Sequence, residues 1–371
     1  MSDSTNEIDL AIVLGTRPEI IKLAPVIREC LRTGTEFTLI HTGQHYSDSL
    51  DSVFFDRLEL PDPDYNLGIG SGSHGEQTGK MLIEVERVLE RESPDVVLVQ
   101  GDTNSVLAGA LATSKLDAKL GHVEAGLRSF DREMPEETNR VIADHVADYL
   151  FAPTEQSKEN LQREGIPESR ITVTGNTVVD ALYRNREIAR RKSTVLSDHG
   201  LDGREYFLMT VHRAENVDEA DRFRKILEGA DRAAARHDVE IIYPIHPRAR
   251  ERLDRFGIDV PDRIRLVEPL DYLDFLQLEA SASVILTDSG GVQEEACVLG
   301  VPCVTMRDST ERPETVTVGA NRLSSCDPER IVRTVGEMLR ADVDWENPFG
   351  DGTAGERILR EVAPQTERVR Q

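Results

Sequence analysis

The chain has 371 residues, of which 39% are hydrophobic and 30% are charged. This length and apolar content suit two compact domains and exclude a disordered protein. The 44 basic and 68 acidic residues give a formal net charge of −24, which excludes a general binder of nucleic acid or anionic membranes. No apolar run approaches the about 20 residues of a membrane helix, and the N-terminus lacks a secretory pattern, so we expect a cytoplasmic protein.

The charge balance also predicts an environment. Only seven of the 44 basic residues are lysines. Repulsion between the surface acids reaches about 10 Å at low salt, and molar salt shortens this reach to about 3 Å. We therefore expect the protein to come from a high-salt cytoplasm, such as that of a halophilic archaeon.

Short β-type runs alternate with longer segments of helical periodicity. Runs such as VVLVQ and VILTD are almost continuously apolar, which is typical of strands covered on both faces. Because the segments between them are long enough for crossover helices, we predict an α/β fold with two doubly wound parallel sheets and an interdomain cleft. The predicted strands are Leu10–Leu14, Phe37–Thr42, Val96–Gln100, Leu120–Val123, Tyr149–Ala152, Tyr206–Val211, Val239–Pro244, Ile264–Val267, Val284–Thr287 and Cys303–Thr305.

The domain division follows from where strands are absent. The stretch 175–200 contains RNREIARRKSTVLSDHG, which is polar and has no strand pattern. We predict a Rossmann-like N-terminal domain over residues 1–178 and a Rossmann-like C-terminal domain over residues 179–350. Residues 351–371 are predicted to form a helix that packs back on the N-terminal domain.

The chemistry should follow the strand ends, because ligands of open α/β sheets bind outside the carboxyl ends of the strands. Gly15-Thr16-Arg17 follows the first strand and opens a helix that also carries Lys22. A glycine turn at a helix N-terminus with two cations suits an anion. An ordinary strand–helix turn with two solvated cations explains the same residues.

Three carboxylates of the first half lie at the boundaries of predicted elements. Asp102 and Glu124 follow two strands, and Glu136 opens a helix. Each acid could instead have a structural role. Glu136, for example, could complement the helix dipole or form an ion pair with Arg140, four residues further on. Three acids at successive switch positions favour a site.

In the second half, nucleotide-binding features follow the strands. His212 follows Val211 at the end of a strand. The sequence Ser289-Gly290-Gly291 follows the strand in VILTD and opens a helix, and Glu295 lies one to two turns further along that helix. Glycines let the backbone approach a pyrophosphate, and a following acid can bind ribose hydroxyls. With Arg312 after the next strand, these residues indicate a nucleotide-sugar enzyme that transfers, epimerises or hydrolyses the sugar.

The motifs resemble those of the non-hydrolysing UDP-N-acetylglucosamine 2-epimerases, a family with the GT-B fold. The resemblance spans residues 11–358 and implies inversion at C2 of the sugar through elimination and re-addition of UDP, by way of a 2-acetamidoglucal, with no redox cofactor. The four cysteines form no CxxC pair and have no histidine at ligand spacing, so we expect no metal site. The matching blocks, in family order, are GTRPEIIKLAPVI, TGQHY, GDTNSVLAGALA, HVEAGLRS, MPEETNR, VTGNTVVD, VHRAEN, IHPR, LTDSGGVQEEA, RDSTERPE and NPFGDGTAGERI.

The resemblance also implies roles for single residues. Asp102, Glu124 and Glu136 match carboxylates around the sugar ring, and His212 matches a histidine near the leaving phosphate. Glu295 matches the acid that binds the uridine ribose. The positions that match those holding the UDP phosphates are Arg17, Lys22, Ser289, Gly290, Gly291 and Arg312.

Two further properties are implied by the family. One is a homodimer. The other, found in many bacterial members, is activation by a second UDP-N-acetylglucosamine, which here would involve Gln44 and His45. The continuation YSDSLDSVFF departs from the usual bacterial sequence, so His45 is equally explained as a packed loop residue.

Four alternatives to the non-hydrolysing epimerase stay open. A retaining GT-B glycosyltransferase would share the Ser-Gly-Gly nucleotide site but would not need three acids from the first half. A hydrolysing 2-epimerase would release UDP and free N-acetylmannosamine. An epimerase could act on a modified UDP-sugar, such as a 2,3-diacetamido uronic acid. A nucleotide-sugar sensor would bind without turnover.

Overall fold

The structure, a computed structural model, describes residues 8–43 and 54–362. Within them the chain divides into two units, one formed by residues 8–43, 54–181 and 349–362 and the other by residues 182–348. None of the described helices is both long enough and apolar enough to cross a membrane.

The first part of the chain alternates strands and helices, and its last helix runs across the boundary between the units. Its elements are β1 (Leu10–Leu14), α1 (Arg17–Thr33), β2 (Phe37–His41), β3 (Tyr65–Asn66), α2 (His74–Glu92), β4 (Val96–Gln100), α3 (Asn104–Thr113), β5 (Lys119–Val123), α4 (Pro135–Val146), β6 (Tyr149–Ala152), α5 (Glu155–Arg163), a 3-10 turn (Glu168–Arg170), β7 (Ile171–Val173) and α6 (Thr177–Lys192).

The second part repeats the alternation, and its last helix belongs to the first unit. Its elements are α7 (Val195–Asp198), β8 (Tyr206–Thr210), α8 (Ala214–Val217), α9 (Ala220–His237), β9 (Glu240–Pro244), α10 (Pro247–Phe256), β10 (Ile264–Val267), α11 (Tyr272–Ser281), β11 (Val284–Thr287), α12 (Gly290–Leu299), β12 (Cys303–Thr305), α13 (Pro313–Thr317), β13 (Asn321–Leu323), α14 (Pro328–Met338) and α15 (Ala354–Val362).

Each unit contains one parallel sheet. The seven strands of the first have the order β3-β2-β1-β4-β5-β6-β7, and the six of the second have the order β10-β9-β8-β11-β12-β13. All five residues of β1 and of β4 are buried, because these central strands are covered by helices on both faces. The predicted α/β fold with two parallel sheets is confirmed.

All ten predicted runs form strands, and three strands were not predicted. These are β3, β7 and β13, each of two or three residues and each at the edge of its sheet. A run this short shows no apolar pattern of its own, and pairing with a neighbouring strand defines it. The predicted polar junction between the domains is largely the helix α6.

The parallel arrangement places helix N-termini beside strand ends. Thr103 caps α3 three residues after β4 ends, and its hydroxyl accepts a hydrogen bond from the Val106 N–H. Prolines in the first turn start α1 and α4, where the missing N–H is not needed. Backbone donors and side chains therefore collect at one edge of each sheet.

The C-terminal helix α15 packs on α1 at a contact that only glycine permits. A β-carbon at Gly355 would lie 2.9 Å from the carbonyl carbon of Pro25 and 3.0 Å from its oxygen. The Gly355 N–H also donates a hydrogen bond to Asp180, at 2.9 Å. This contact fixes how closely the two helices approach.

We expect Gly355→Ala to destabilise the first unit by about 1–3 kcal/mol, because the backbone of Pro25 cannot yield as a side chain can. Gly79→Ala is the matched control. Gly79 lies inside α2 with nothing within 4 Å of its β-carbon position, so alanine there should be neutral or stabilise by up to about 1 kcal/mol. Urea unfolding of both variants checks this, and equal effects would contradict the packing argument.

Candidate active site

The turn from β1 to α1 is anchored by a buried acid. Glu19 lies on the first turn of α1, 2% exposed, and accepts hydrogen bonds from the Gly15 N–H (2.9 Å) and the Thr103 hydroxyl (2.7 Å). A β-carbon at Gly15 would lie 2.1 Å from the hydroxyl oxygens of Ser105 and Thr42, so the position requires glycine. Glu19 thus ties the β1–α1 turn to the β4–α3 turn. The sequence interpretation missed this role.

Lys22 contacts the carboxylate of Glu124. Its ammonium nitrogen lies 2.7 Å from Oε1 and 2.6 Å from Oε2, and the side-chain amide of Gln100 donates to Oε2 as well. Glu124 is 6% exposed and has a φ of 70°. Residues with a β-carbon rarely adopt this left-handed conformation, and such strain concentrates at functional sites.

Arg140 holds Asp102. Two guanidinium nitrogens, Nε and Nη2, lie 2.9 and 2.6 Å from Oδ2 of Asp102. Asn139, the preceding residue on α4, donates to the Asp102 carbonyl at 2.8 Å. Glu124 lies close to the same turn, because a β-carbon at Gly101 would be 3.9 Å from its Oε2.

The alternative interpretation, in which Glu136 forms an ion pair with Arg140, is wrong. Glu136 lies half-buried on the first turn of α4, but Arg140 pairs with Glu137 (2.8 Å) and with Asp102. Arg140 therefore forms an i,i+3 ion pair with Glu137 and contacts Asp102 after β4, and it does not form the i,i+4 pair with Glu136. The predicted role of Glu136 beside the sugar stays a prediction.

Glu137 fastens the segment that precedes α4. Its carboxylate accepts hydrogen bonds from the N–H and hydroxyl of Ser129 (2.9 and 3.0 Å) and from the Phe130 N–H (3.0 Å). Burial by itself would raise the pKa of Glu137, but these donors and Arg140 hold it below its ordinary value. The ionised carboxylate links this segment to Arg140 and so to Asp102.

A buried cluster of charged residues supports the turn that follows β4. His122 on β5 donates from Nδ1 to Asp144 (2.7 Å) and from Nε2 to the Gly101 carbonyl (2.8 Å). Burial opposes a charge on this ring, yet Asp144 raises the pKa of His122 above its ordinary value. Since both partners accept, the ring carries two protons. Arg128 completes the cluster at 2.7 Å from Asp144.

In the second unit, a buried aspartate organises the end of β8. Asp288, which follows β11 and is fully buried, accepts hydrogen bonds from the N–H groups of His212 and Arg213, each at 3.0 Å, and from the Asn216 amide at 3.1 Å. Burial tends to raise the pKa of Asp288, but these donors and the His212 ring lower it. The ring Nδ1 of His212 lies 3.3 Å from Asp288. Asp288 thereby orients His212.

The glycine-rich start of α12 is open. The Ser289 N–H donates to the hydroxyl of Thr287, at 2.9 Å. A β-carbon at Gly290 or Gly291 would meet no atom nearer than 3.8 Å, and neither glycine has a positive φ. Packing within the described chain therefore does not explain these glycines, whereas close approach of a ligand backbone would. Glu295 follows, half-buried, in the middle of α12.

The predicted phosphate-binding arginines have different surroundings. The guanidinium of Arg312 lies 2.9 Å from a carboxylate oxygen of Glu294. The guanidinium of Arg17 is exposed and lies 5.7 Å from the centre of the Phe54 ring. Gln44 and His45 lie outside the described residues.

A cavity of about 240 Å³ lies beside the start of α12. It is bounded by the ends of β8 and β9, by the segment after β10 and by α11. Most of its lining is apolar, which suits a flat base, with a few polar groups at one side. Its lining residues include His212, Pro244, His246, Leu270, Phe275, Ser289 and Val292.

The two sheets, with polar side chains at their strand ends, define a two-domain α/β protein of the GT-B class. The family model for UDP-N-acetylglucosamine 2-epimerases matches residues 28–363. The chain is 56% identical, over 357 residues, to the UDP-N-acetylglucosamine 2-epimerase of Methanocaldococcus jannaschii, covering 95% of this chain and 98% of that protein. The chain belongs to the UDP-N-acetylglucosamine 2-epimerase family.

Two solved structures agree with this. The structure of the UDP-GlcNAc 2-epimerase from M. jannaschii aligns with a TM-score of 0.89 at 54% identity, covering 96% of this chain and 100% of that one. A structure of the M. jannaschii UDP-GlcNAc 2-epimerase in complex with UDP-GlcNAc and UDP aligns with a TM-score of 0.83 at 55% identity and the same coverage.

Glu19 gives a prediction about stability. Burial raises the pKa of Glu19 to about 7, against hydrogen bonds from Thr103 and Gly15 that lower it. The stability contributed by the neutral carboxyl is therefore full below the ordinary pKa of 4.5 and is lost as the pH rises through about 7. We expect the free energy of unfolding to fall, relative to that of Glu19→Gln, by about 3 kcal/mol across this range.

Urea unfolding of both proteins at several pH values measures this difference. Glutamine is a fair replacement, because the Thr103 hydroxyl can accept from its amide as well as donate. A difference that does not change with pH would show that folding does not raise the pKa of Glu19.

Proposed function

We propose that this protein interconverts UDP-N-acetylglucosamine and UDP-N-acetylmannosamine without net hydrolysis. Membership of the family supports the 2-epimerase activity. The M. jannaschii protein whose structure was solved with UDP-GlcNAc and UDP supports the nucleotide sugar as substrate, as does the 56% identity to the epimerase of that organism.

The chemistry sets the demands on the site. The hydrogen on C2 is not acidic, since no carbonyl activates it. The bond between C1 and the UDP oxygen must loosen first, which makes C1 cationic and allows a base to remove the C2 proton. UDP then adds back to the glycal while an acid delivers a proton to the opposite face of C2. Carboxylates near the ring and donors near the leaving phosphate serve these steps.

The observation that carries the proposal is the pair of fixed carboxylates in the first unit. Glu124 is held by Lys22 and Asp102 by Arg140, each through two contacts. Side chains fixed in this way suit proton transfer, which requires a set geometry. We assign Asp102 and Glu124, with Glu136, to the proton transfers and to stabilisation of cationic C1.

Nucleotide binding is assigned to the second unit. The N-terminus of α12, with Ser289, Gly290 and Gly291, offers backbone N–H groups to a pyrophosphate. The adjoining apolar cavity suits the uracil ring, and Glu295 suits the ribose hydroxyls. His212, oriented by Asp288, suits a donor to the departing phosphate. The phosphate roles of Arg17, Lys22 and Arg312 are part of the same proposal.

The decisive experiment is incubation with UDP-N-acetylglucosamine in deuterated water at molar KCl, followed by proton NMR. We expect UDP-N-acetylmannosamine to appear, with deuterium entering C2 of both sugars. Free UDP with N-acetylmannosamine would instead identify the hydrolysing reaction. Binding of UDP-N-acetylglucosamine without change would favour a modified substrate or a sensor.

Glu124→Gln should abolish detectable turnover, which means a fall in kcat of at least about 10²-fold. Its UDP affinity should stay within a few-fold of the wild-type affinity, because the carboxylate acts on the sugar. Kinetics by NMR and calorimetric titration with UDP measure the two effects. Glu155→Gln is the control, since Glu155 is an exposed acid of the same unit, and should behave as wild type. Loss of UDP binding in Glu124→Gln would assign Glu124 a structural role.

Arg140→Gln should lower kcat by about tenfold or more with little change in KM, because Asp102 loses the two contacts that fix it. Arg140→Lys keeps the charge but not the paired geometry and should be intermediate. Steady-state kinetics of the three proteins test this. A rise in KM with unchanged kcat would show that Arg140 binds substrate instead.

We also propose that the protein works at high salt. The net charge of −24 and the seven lysines support this. Screening by molar KCl shortens the range of self-repulsion from about 10 Å to about 3 Å, so the midpoint of thermal unfolding should rise steeply between about 0.1 and 2 M KCl. Circular dichroism measures it, and a midpoint independent of salt would contradict the proposal.

A further inference from the structure

Asp144 holds the turn that carries Glu124. It lies fully buried on α4, and its Oδ2 accepts a hydrogen bond from the Gly126 N–H at 3.1 Å. Gly126 and Glu124 both have left-handed backbone conformations, with φ of 80° and 70°. A β-carbon at Gly126 would lie 2.3 Å from the carbonyl oxygen of Ser157, so the turn requires glycine here. Strained turns persist only where several contacts hold them, and Asp144 provides one of these contacts.

The turn that carries Asp102 depends on the same aspartate through one side chain. Oδ1 of Asp144 accepts a hydrogen bond from Nδ1 of His122 at 2.7 Å. The other ring nitrogen, Nε2, donates to the carbonyl of Gly101 at 2.8 Å, and Gly101 directly precedes Asp102. His122 is fully buried, so solvent does not compete for either contact. The contacts of Asp144 and His122 therefore run without a break from one turn to the other.

Both contacts of the His122 ring require its positive charge. A carboxylate and a carbonyl only accept hydrogen bonds, so each ring nitrogen must carry a proton. Burial by itself would raise the pKa of Asp144, but His122 and Arg128 hold it below its ordinary value. Glu124 also favours the charge on the ring. The cluster balances two cations with two acids, and its members are His122, Arg128, Asp144 and Glu164.

We propose that Asp144 and His122 are positioning residues: together they hold the turns after β4 and β5, and so the two acids on them, in one fixed arrangement. Proton transfer on two faces of one carbon depends on where these acids lie relative to each other. Since α4 also carries Glu136, one helix contributes to placing all three acids. The inference rests on the proposed function in assigning Asp102 and Glu124 to the proton transfers.

The first test removes the charge from His122 and keeps the ring. In Asp144→Asn the ring loses its counter-ion, and burial then favours the neutral form, which has a single N–H. We expect kcat to fall at least about tenfold, with KM and the affinity for UDP within about threefold of wild type. The ratio of this kcat to the wild-type kcat should rise as the pH falls from about 9 to about 6, because the ring regains its second proton.

Further variants assign this effect to the ring. His122→Gln has one amide donor group that does not titrate, so its kcat should fall at an unchanged KM and not recover at low pH. The double variant Asp144→Asn/His122→Gln should not recover either. Asp148→Asn is the matched control, since Asp148 accepts from the Leu120 N–H (3.0 Å) and from Lys119 (2.9 Å) at the opposite end of β5. Its kcat should equal that of wild type at each pH.

NMR of the wild-type protein tests the charge on the ring directly and depends on no variant. With 15N-labelled histidine, we expect N–H protons on both nitrogens of His122 up to about pH 8. Nuclear Overhauser contacts with the α-protons of Gly101 assign them. A ring with only one N–H proton at neutral pH would overturn the inference.

The kinetic outcomes separate the possible failures. A wild-type kcat in Asp144→Asn would overturn the inference. A fall in kcat that matches a loss of UDP-binding sites would show that Asp144 only supports the fold, and would overturn it as well. Recovery at low pH in the double variant would overturn the role of His122. Wild type that binds UDP-N-acetylglucosamine without turnover would overturn the epimerase proposal and this inference with it, whereas every other outcome leaves the epimerase proposal standing.

Discussion

Lys22 meets both carboxylate oxygens of Glu124, and the first unit is built so that these side chains can reach each other. Lys22 lies on α1 after β1, whereas Glu124 follows β5, two positions away in the sheet. The contact forms because parallel strands end at one edge. Burying a carboxylate this deeply without a partner costs several kcal/mol, and Lys22 is the cationic partner of Glu124. The contact forms even though Glu124 has a left-handed backbone conformation.

The remaining buried acids answer the same constraint in different ways. Asp144 uses a histidine ring and Arg128, and Asp288 uses backbone and amide N–H groups. Glu19, whose pKa burial raises to about 7, keeps its own proton below that pH. A buried acid that cations or several N–H donors hold stays ionised, whereas an acid whose burial outweighs its donors becomes neutral. The structure therefore contains buried carboxyl groups of both kinds, and each kind suits different chemistry.

Much of the fold was predictable because long apolar strands carry their own signal. The ten predicted strands and their parallel arrangement are confirmed, while the short edge strands β3, β7 and β13 depend on a neighbour to define them. The candidate residues Asp102, Glu124, His212 and Ser289 were found because they directly follow such strands. Glu19, Glu137 and Asp144 were missed, since acids inside helices resemble ordinary surface acids until burial is known.

The sequence by itself determined the order of elements, the two parallel sheets and the residues that lie at the strand ends, because apolar periodicity and turn residues are local properties. Only the tertiary structure decided which charges meet. Glu136 and Arg140 have the spacing of a helical ion pair, yet Arg140 contacts Glu137 and Asp102. Likewise, nothing in the spacing of Glu19 and Thr103 shows that the two side chains share a hydrogen bond of 2.7 Å. Contacts between residues far apart in the chain arise from packing, and burial then sets which acids keep their protons.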